Sequence, residues 1–198
     1  PIFELLEKKY KSQLDDTAAQ YIHFAVDGAA RMKTLIMDLL EYSRIGTNQD
    51  AFTNTDMDEV VSQVLNTLEE KMKEKKTQLS VGHMPVVRAN RSQMLQMLQN
   101  LISNAFKYNR AAVPEIQIGC TEEREVWKFH VADNGIGIDE RYFEKIFVIF
   151  QRLHNRNEYS GTGIGLSVCR KIAEKHGGSI WLESKPGKGS TFYFTLKK

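Results

Sequence analysis

The chain has only two cysteines, Cys120 and Cys169, and neither has a partner at CxxC spacing. That excludes a disulfide framework and a thiolate metal site. A reducing, cytoplasmic setting is the default expectation. No apolar run reaches the roughly 18 residues of a membrane-spanning helix, and the first residues carry no signal-peptide pattern. Charge of one sign is also missing. The formal net charge is +2, with the basic residues interspersed among acids. Without a clustered basic stripe, a nucleic-acid partner is not expected. The short basic runs Lys71–Lys76 and Lys185–Lys188 read as solvated surface.

Two common phosphate signatures are absent as well. Gly161-Thr162-Gly163-Ile164-Gly165-Leu166 is GxGxG, without the GxGxxG spacing of a dinucleotide fold, and it follows a polar loop. Gly187-Lys188-Gly189-Ser190-Thr191 lacks P-loop spacing and leads into a strand pattern.

What is present fits a folded protein, with 41% hydrophobic and 26% charged residues in 198. Apolar positions at three- and four-residue steps predict a helix over 17–45, with Asp15 or Asp16 as its N-cap. So wide a stripe needs partner helices; with residues 2–12 it suits half of a four-helix bundle. Gly46–Asp50 is polar and marks a boundary. A strand over 51–55 and a helix from Asp56 to about 76 follow. Then come strands over 78–81 and 86–89 around a Gly82–Pro85 loop, and a helix from Asn90 or Ser92 to Tyr108. Strands over 116–121 and 126–132 form a hairpin. A short helix is predicted over 139–147, a loop over 151–160 and a helix over 163–176 closed by Gly177-Gly178. Strands over 179–183 and 191–196 end the chain. The expected class is α+β: a two-layer α/β sandwich, helices on one face of a mixed, mostly antiparallel sheet.

Three stretches carry the chemistry. Asp133-Asn134-Gly135-Ile136-Gly137-Ile138 places a carboxylate at a strand end, before glycines that permit close approach to a flat ligand. The glycines of 161–166 open a helix, whose N-terminal amides suit a polyphosphate; a plain tight turn explains them equally well. Asn100 and Asn104 lie at i, i+4 on one helical face, with Lys107 and Tyr108 a turn later. Amide oxygens can ligate Mg²⁺ and a lysine adds a phosphate charge. An ordinary polar helix face is the simpler explanation of that spacing alone.

Together and in this order, these stretches resemble the N, G1 and G2 boxes of the sensor histidine kinase ATP-binding domain, of the gyrase, Hsp90, histidine kinase and MutL superfamily. Ile146–His154 resembles its F box, and the likeness covers residues 51–198. The resemblance implies ATP and Mg²⁺ as cofactors, with Asn104 as metal ligand. It implies Lys107 on phosphate, Tyr108 as a pocket wall and Asp133 on the adenine amino group. Gly135, Gly137 and Ile138 would line the base end; Gly161, Thr162, Gly163, Ile164, Gly165 and Leu166 the phosphate end. Residues 151–160 would form a lid anchored by Phe147 and Phe150, and Thr191 would support Asp133. Asn100 stands where ATPase relatives carry a glutamate that activates water. An amide cannot be that base, which favours transfer to a protein nucleophile over hydrolysis, while intact Asn104, Lys107, Asp133 and the glycines count against a non-catalytic scaffold.

The family's acceptor is a histidine followed by an acid and, five residues on, a proline. His23 is followed by Phe24-Ala25-Val26-Asp27-Gly28 and does not match. Residues 17–45, ending in Leu39-Leu40-Glu41-Tyr42-Ser43-Arg44, resemble the second helix of the dimerisation hairpin. The expected domains are therefore 1–46, part of that hairpin, and 47–198, the catalytic domain. The acceptor is expected upstream of Pro1, with a response-regulator receiver domain as partner and homodimerisation through the hairpin. The long helix and the lid most resemble phytochrome-like and PAS-linked kinases.

Overall fold

The computed structural model describes residues 15–45, 51–153, 159 and 161–198. The expected helix over 2–12, the Gly46–Asp50 boundary and most of the 151–160 loop, His154 included, lie outside these residues. By compactness the chain divides between Glu41 and Tyr42.

The first unit holds most of α1, Asp16–Arg44. Asp15 Oδ1 accepts from the Ala18 N–H at 2.7 Å, so Asp15 is the cap that starts the helix. No residue of α1 is buried. Tyr21, Phe24, Met32, Ile36, Leu39 and Leu40 are all exposed. The apolar stripe thus lies on the surface of the single chain, and His23 is exposed beside it.

The second unit begins with the last turn of α1. Lys171 Nζ donates to the Tyr42 carbonyl at 2.9 Å and sits 4.3 Å from its ring centroid, while Ile45 is buried. A cation on the carbonyl end of a helix is favourable. These contacts tie the last turn of α1 into the second unit.

The remaining elements are β1 (Thr53–Asp56), α2 (Met57–Glu74), β2 (Gln78–Val81), β3 (Val86–Ala89) and α3 (Arg91–Lys107). They continue with β4 (Glu115–Glu122), β5 (Val126–Asp133), α4 (Gly165–Lys175), β6 (Ile180–Ser184) and β7 (Ser190–Lys197). A five-stranded sheet has the order β2-β4-β5-β7-β6. Only β2 and β4 run parallel. Strand alternation sends Ile116, Ile118, Phe129, Val131, Phe192, Phe194, Ile180 and Leu182 to one face, all buried. Phe129 and Phe194 stack there at 4.8 Å between centroids. The helices meet that face with Val60, Val64 and Leu68 of α2, Met94, Leu98, Leu101 and Ile102 of α3, and Val168 and Ile172 of α4. The helix-on-sheet architecture is the one expected.

Three local readings change. Strands β2 and β3, read around one loop, belong to different sheets: β3 pairs with β1 in a separate two-stranded ribbon. The 82–85 segment carries the chain between the sheets, pinned by Gly82 N–H to Ile118 O and by buried Met84. Residues 139–147 form two 3₁₀ turns, Glu140–Tyr142 and Lys145–Phe147, instead of one helix. So short a segment cannot sustain a helix without packing, and only Ile146 and Phe147 are buried in those turns. Helix α4 starts at Gly165, because Gly163 has φ +80°, outside the helical region.

Candidate functional site

Helix α3 supplies one wall of the site. Asn90 caps it, its Oδ1 accepting from the Gln93 N–H at 3.0 Å and from Ser92 Oγ at 2.7 Å. The apolar face of α3 is buried on the sheet, which leaves Asn100, Asn104, Lys107 and Tyr108 lining an open cleft. Asn100 does not present its amide freely to that cleft. Its Nδ2 donates to the Gly165 carbonyl at 3.2 Å, and its Oδ1 lies against the same glycine. It braces the first turn of α4 against α3.

The opposite end of the cleft is built by β5 and β7. Their register sets Asp133 opposite Ser190. The carboxylate accepts from the Gly135 N–H at 2.8 Å and from the Ser190 N–H. Burial pushes its pKa up to about 6, and those two N–H donors pull the other way. The turn after Asp133 is stitched to the end of α3 by Ile136 N–H to Tyr108 O at 3.0 Å. It is stitched to the β6–β7 turn by Gly187 N–H to Ile136 O at 2.8 Å. Gly137 makes this possible: at φ +69°, a Cβ there would stand 2.1 Å from the Lys185 carbonyl oxygen.

The third wall is the 161–166 loop and the start of α4. Gly161, Thr162, Gly163, Gly165 and Leu166 all line the cleft. Lys107 Nζ reaches Gly161, standing 2.8 Å from where a Cβ would be. Arg152 holds the same loop, donating to the carbonyls of Gly161 at 2.7 Å and of Tyr159. Tyr159 packs on Tyr108 at 4.8 Å between centroids and accepts from Arg110 Nε at 2.8 Å.

Of the residues singled out from sequence, Asn100, Asn104, Lys107, Tyr108, Asp133, Gly137, Ile138, Gly161, Thr162, Gly163, Gly165 and Leu166 come together in this cleft. Four do not line it. Gly135 is buried against the Tyr108 carbonyl. Ile164 is fully buried in the core. Phe150 is 55% exposed, at φ +66°, its N–H bonded to Gly163 O at 3.1 Å. Thr191 pairs with Ala132, one place out of register with Asp133. Strand alternation gives the supporting role to Ser190, whose hydroxyl lies 2.9 Å from that of Ser184. Ile136, Ile146, Gln151, Arg152, Leu153, Ser190 and Phe192 also line the cleft. Only strand register could have separated Ser190 from Thr191 in advance.

The site is therefore polarised. One end offers a buried carboxylate among Ile136, Ile138 and Phe192, fit for the edge of a flat, amino-bearing ring. The other offers Asn104, Lys107 and the N-terminus of α4, fit for an anion. Among the described residues no cluster of three His, Cys, Asp or Glu side chains exists. A metal held here could draw on the Asn104 amide oxygen and on oxygens of its ligand.

Comparison with known proteins agrees. Residues 89–198 match the family described as histidine kinase-, DNA gyrase B-, and HSP90-like ATPase. The chain is 49% identical to the phytochrome-like protein Cph1 of Synechocystis over 193 residues, 98% of this chain but 26% of Cph1. The nucleotide-free catalytic domain of histidine kinase ThkA superposes with a TM-score of 0.65 at 31% identity, covering 74% of this chain and 95% of that one. ThkA in complex with the response regulator TrrA superposes with a TM-score of 0.71 at 27% identity, covering 100% of this chain and 57% of that one. On these matches the chain belongs to the histidine kinase-, DNA gyrase B-, and HSP90-like ATPase family.

Proposed function

We propose that this chain is the catalytic portion of a sensor histidine kinase, binding Mg·ATP and passing its γ-phosphate to a histidine for relay to a response-regulator aspartate. The observation that carries the reading is the convergence of Asp133, Asn104, Lys107 and the α4 N-terminus on one cleft. Asp133 accepts from the adenine amino group, while Ile138 and Phe192 flank the ring. Lys107 and the amides of 161–165 hold the phosphates. Mg²⁺ would be held by the Asn104 amide oxygen and by phosphate, and would supply positive charge to the transferring group. The protein's own contribution is to position the nucleotide and to supply positive charge at its phosphate end, with little covalent work. Asn100 is bonded to Gly165 O and carries no basic oxygen, which supports transfer over water activation.

The acceptor histidine belongs to a segment preceding residue 1, because His23 lacks the acid and proline of the acceptor pattern. The exposed apolar stripe of α1 supports a bundle formed with a second copy. Likeness to ThkA, solved with TrrA, supports a receiver-domain partner. No helix among the described residues is long and apolar enough to cross a membrane, in keeping with the cytoplasmic setting read from cysteine usage. The test is Asn104→Ala in a chain extended to include the acceptor helix. That variant is expected to remain folded and lose Mg·ATP-dependent phosphotransfer; normal transfer overturns the assignment.

A further inference from the structure

Asn134 stands between the cleft carboxylate, Asp133, and buried Gly135, and it does not line the cleft either. Its side chain faces a different set of partners. Oδ1 accepts from Asn109 Nδ2 at 2.7 Å and from the Glu115 N–H at 2.8 Å, and Nδ2 donates to the Val113 carbonyl at 3.1 Å. Its own N–H donates to Glu115 O at 3.3 Å. Asn109 is buried, and its Oδ1 accepts from the Ala111 N–H at 2.9 Å. One amide thus ties the end of β5 to the 109–115 segment, which leaves α3 directly after Lys107 and Tyr108.

The chemistry of an amide matches these demands, since it accepts twice and donates once at the same time. Alanine would supply none of the side-chain contacts. Aspartate would keep the two acceptor contacts but turn a carboxylate oxygen on the Val113 carbonyl. It would also add a second negative charge beside Asp133, whose ionisation burial already opposes. The other titratable groups bordering Asp133 are Lys107, Tyr108 and Arg152 in the nucleotide cleft, and Glu115 and Lys188 in the groove on its other side.

We propose that Asn134 is a positioning residue for base recognition. Its amide clamps the 109–115 segment to the strand end that presents Asp133. Its neutrality keeps a second negative charge away from Asp133, the one acidic side chain among the described residues lining the cleft. The inference rests on the reading of the cleft as an ATP site.

The test titrates this chain with a fluorescent ATP analogue and Mg²⁺ across pH, alongside thermal denaturation to check folding. Asn134→Ala is expected to weaken binding about tenfold or more near neutral pH. Asn109→Ala is expected to act in the same sense and less strongly. Asn134→Asp is expected to shift the pH midpoint of binding upward, so that affinity lost near neutrality partly returns in alkali. The midpoint reads the charge placed beside Asp133, and the loss of affinity in a folded Asn134→Ala, with its midpoint unmoved, reads the clamp. If Asn134→Ala fails to fold, Asn134→Asp, which keeps both acceptor contacts, carries the test. A folded Asn134→Asp with unchanged affinity and pH midpoint overturns the proposal. Absence of binding by the unmodified chain at every pH overturns the ATP reading itself, and the proposal with it.

Discussion

Asp133→Asn separates recognition from folding. The substitution keeps the shape of the side chain and removes its charge. In the structure the carboxylate accepts from the Gly135 N–H at 2.8 Å and from the Ser190 N–H, leaving acceptor capacity for a ligand. An amide cannot meet both demands. With its oxygen toward the two N–H groups, its NH₂ faces the amino group of the base; flipped, its NH₂ faces the two N–H donors. A hydrogen bond to a charged acceptor contributes roughly 1.5–3 kcal/mol. At 1.4 kcal/mol per decade, losing it weakens ATP by about 10- to 150-fold. Folding should respond in the opposite sense. The pKa of Asp133 is raised by burial to about 6, above the ordinary carboxylate value, so the folded state binds the proton more tightly than the unfolded chain does. Ionisation of this group therefore opposes folding at neutral pH, and the uncharged amide relieves that. The melting temperature of Asp133→Asn near neutrality is expected to equal or exceed that of the unmodified chain. Affinity of the unmodified chain should fall as pH drops below about 6, where Asp133 takes up its proton, while the variant's profile stays flat there. Fluorescent-analogue titration and thermal denaturation read both quantities. Affinity within about threefold of the unmodified chain, or a loss that merely tracks a large fall in melting temperature, refutes the assignment.

Other perturbations test neighbouring parts. Gly137→Ala places a Cβ 2.1 Å from the Lys185 carbonyl oxygen at φ +69°. The left-handed conformation alone costs about 1–2 kcal/mol, so both melting temperature and ATP affinity should drop; an unchanged melting curve refutes the geometry. His176 accepts from the Asn90 N–H at Nε2 (3.1 Å), and its Nδ1 lies 2.8 Å from Ile172 O, an arrangement that needs the neutral ring. Burial, with Lys175 adding to it, lowers its pKa. Its stability contribution is therefore full above the unfolded value of about 6.5 and is lost as pH falls through the lower folded value. Urea denaturation on either side of that window should show the decline, and His176→Ala should flatten it; equal slopes in both proteins sink the argument.

Much of the site was legible because its signals are local. Asn100, Asn104 and Lys107 share a helix face by periodicity alone, and the glycines of 135–137 and 161–165 announce tight backbone in any context. The caps at Asp15, Asp56 and Asn90 sit where their side chains begin helices. Strand pairing is nonlocal, and there local reading failed. Nothing in residues 78–89 says that one strand joins β4 and the other β1.

By itself, then, the sequence determined the elements, the helix-on-sheet class and the three stretches that converge on a nucleotide, because short-range periodicity and backbone freedom decide those. Tertiary structure alone decided which neighbour does the work. A one-residue step in β7 reverses the face of a side chain, so register put Ser190, not Thr191, beside Asp133. Packing of α4 against α3 gave Asn100 its partner, the Gly165 carbonyl. The asparagine beside Asp133 gained its partners only when residues 109–115, distant by two strands and the turn between them, met the end of β5.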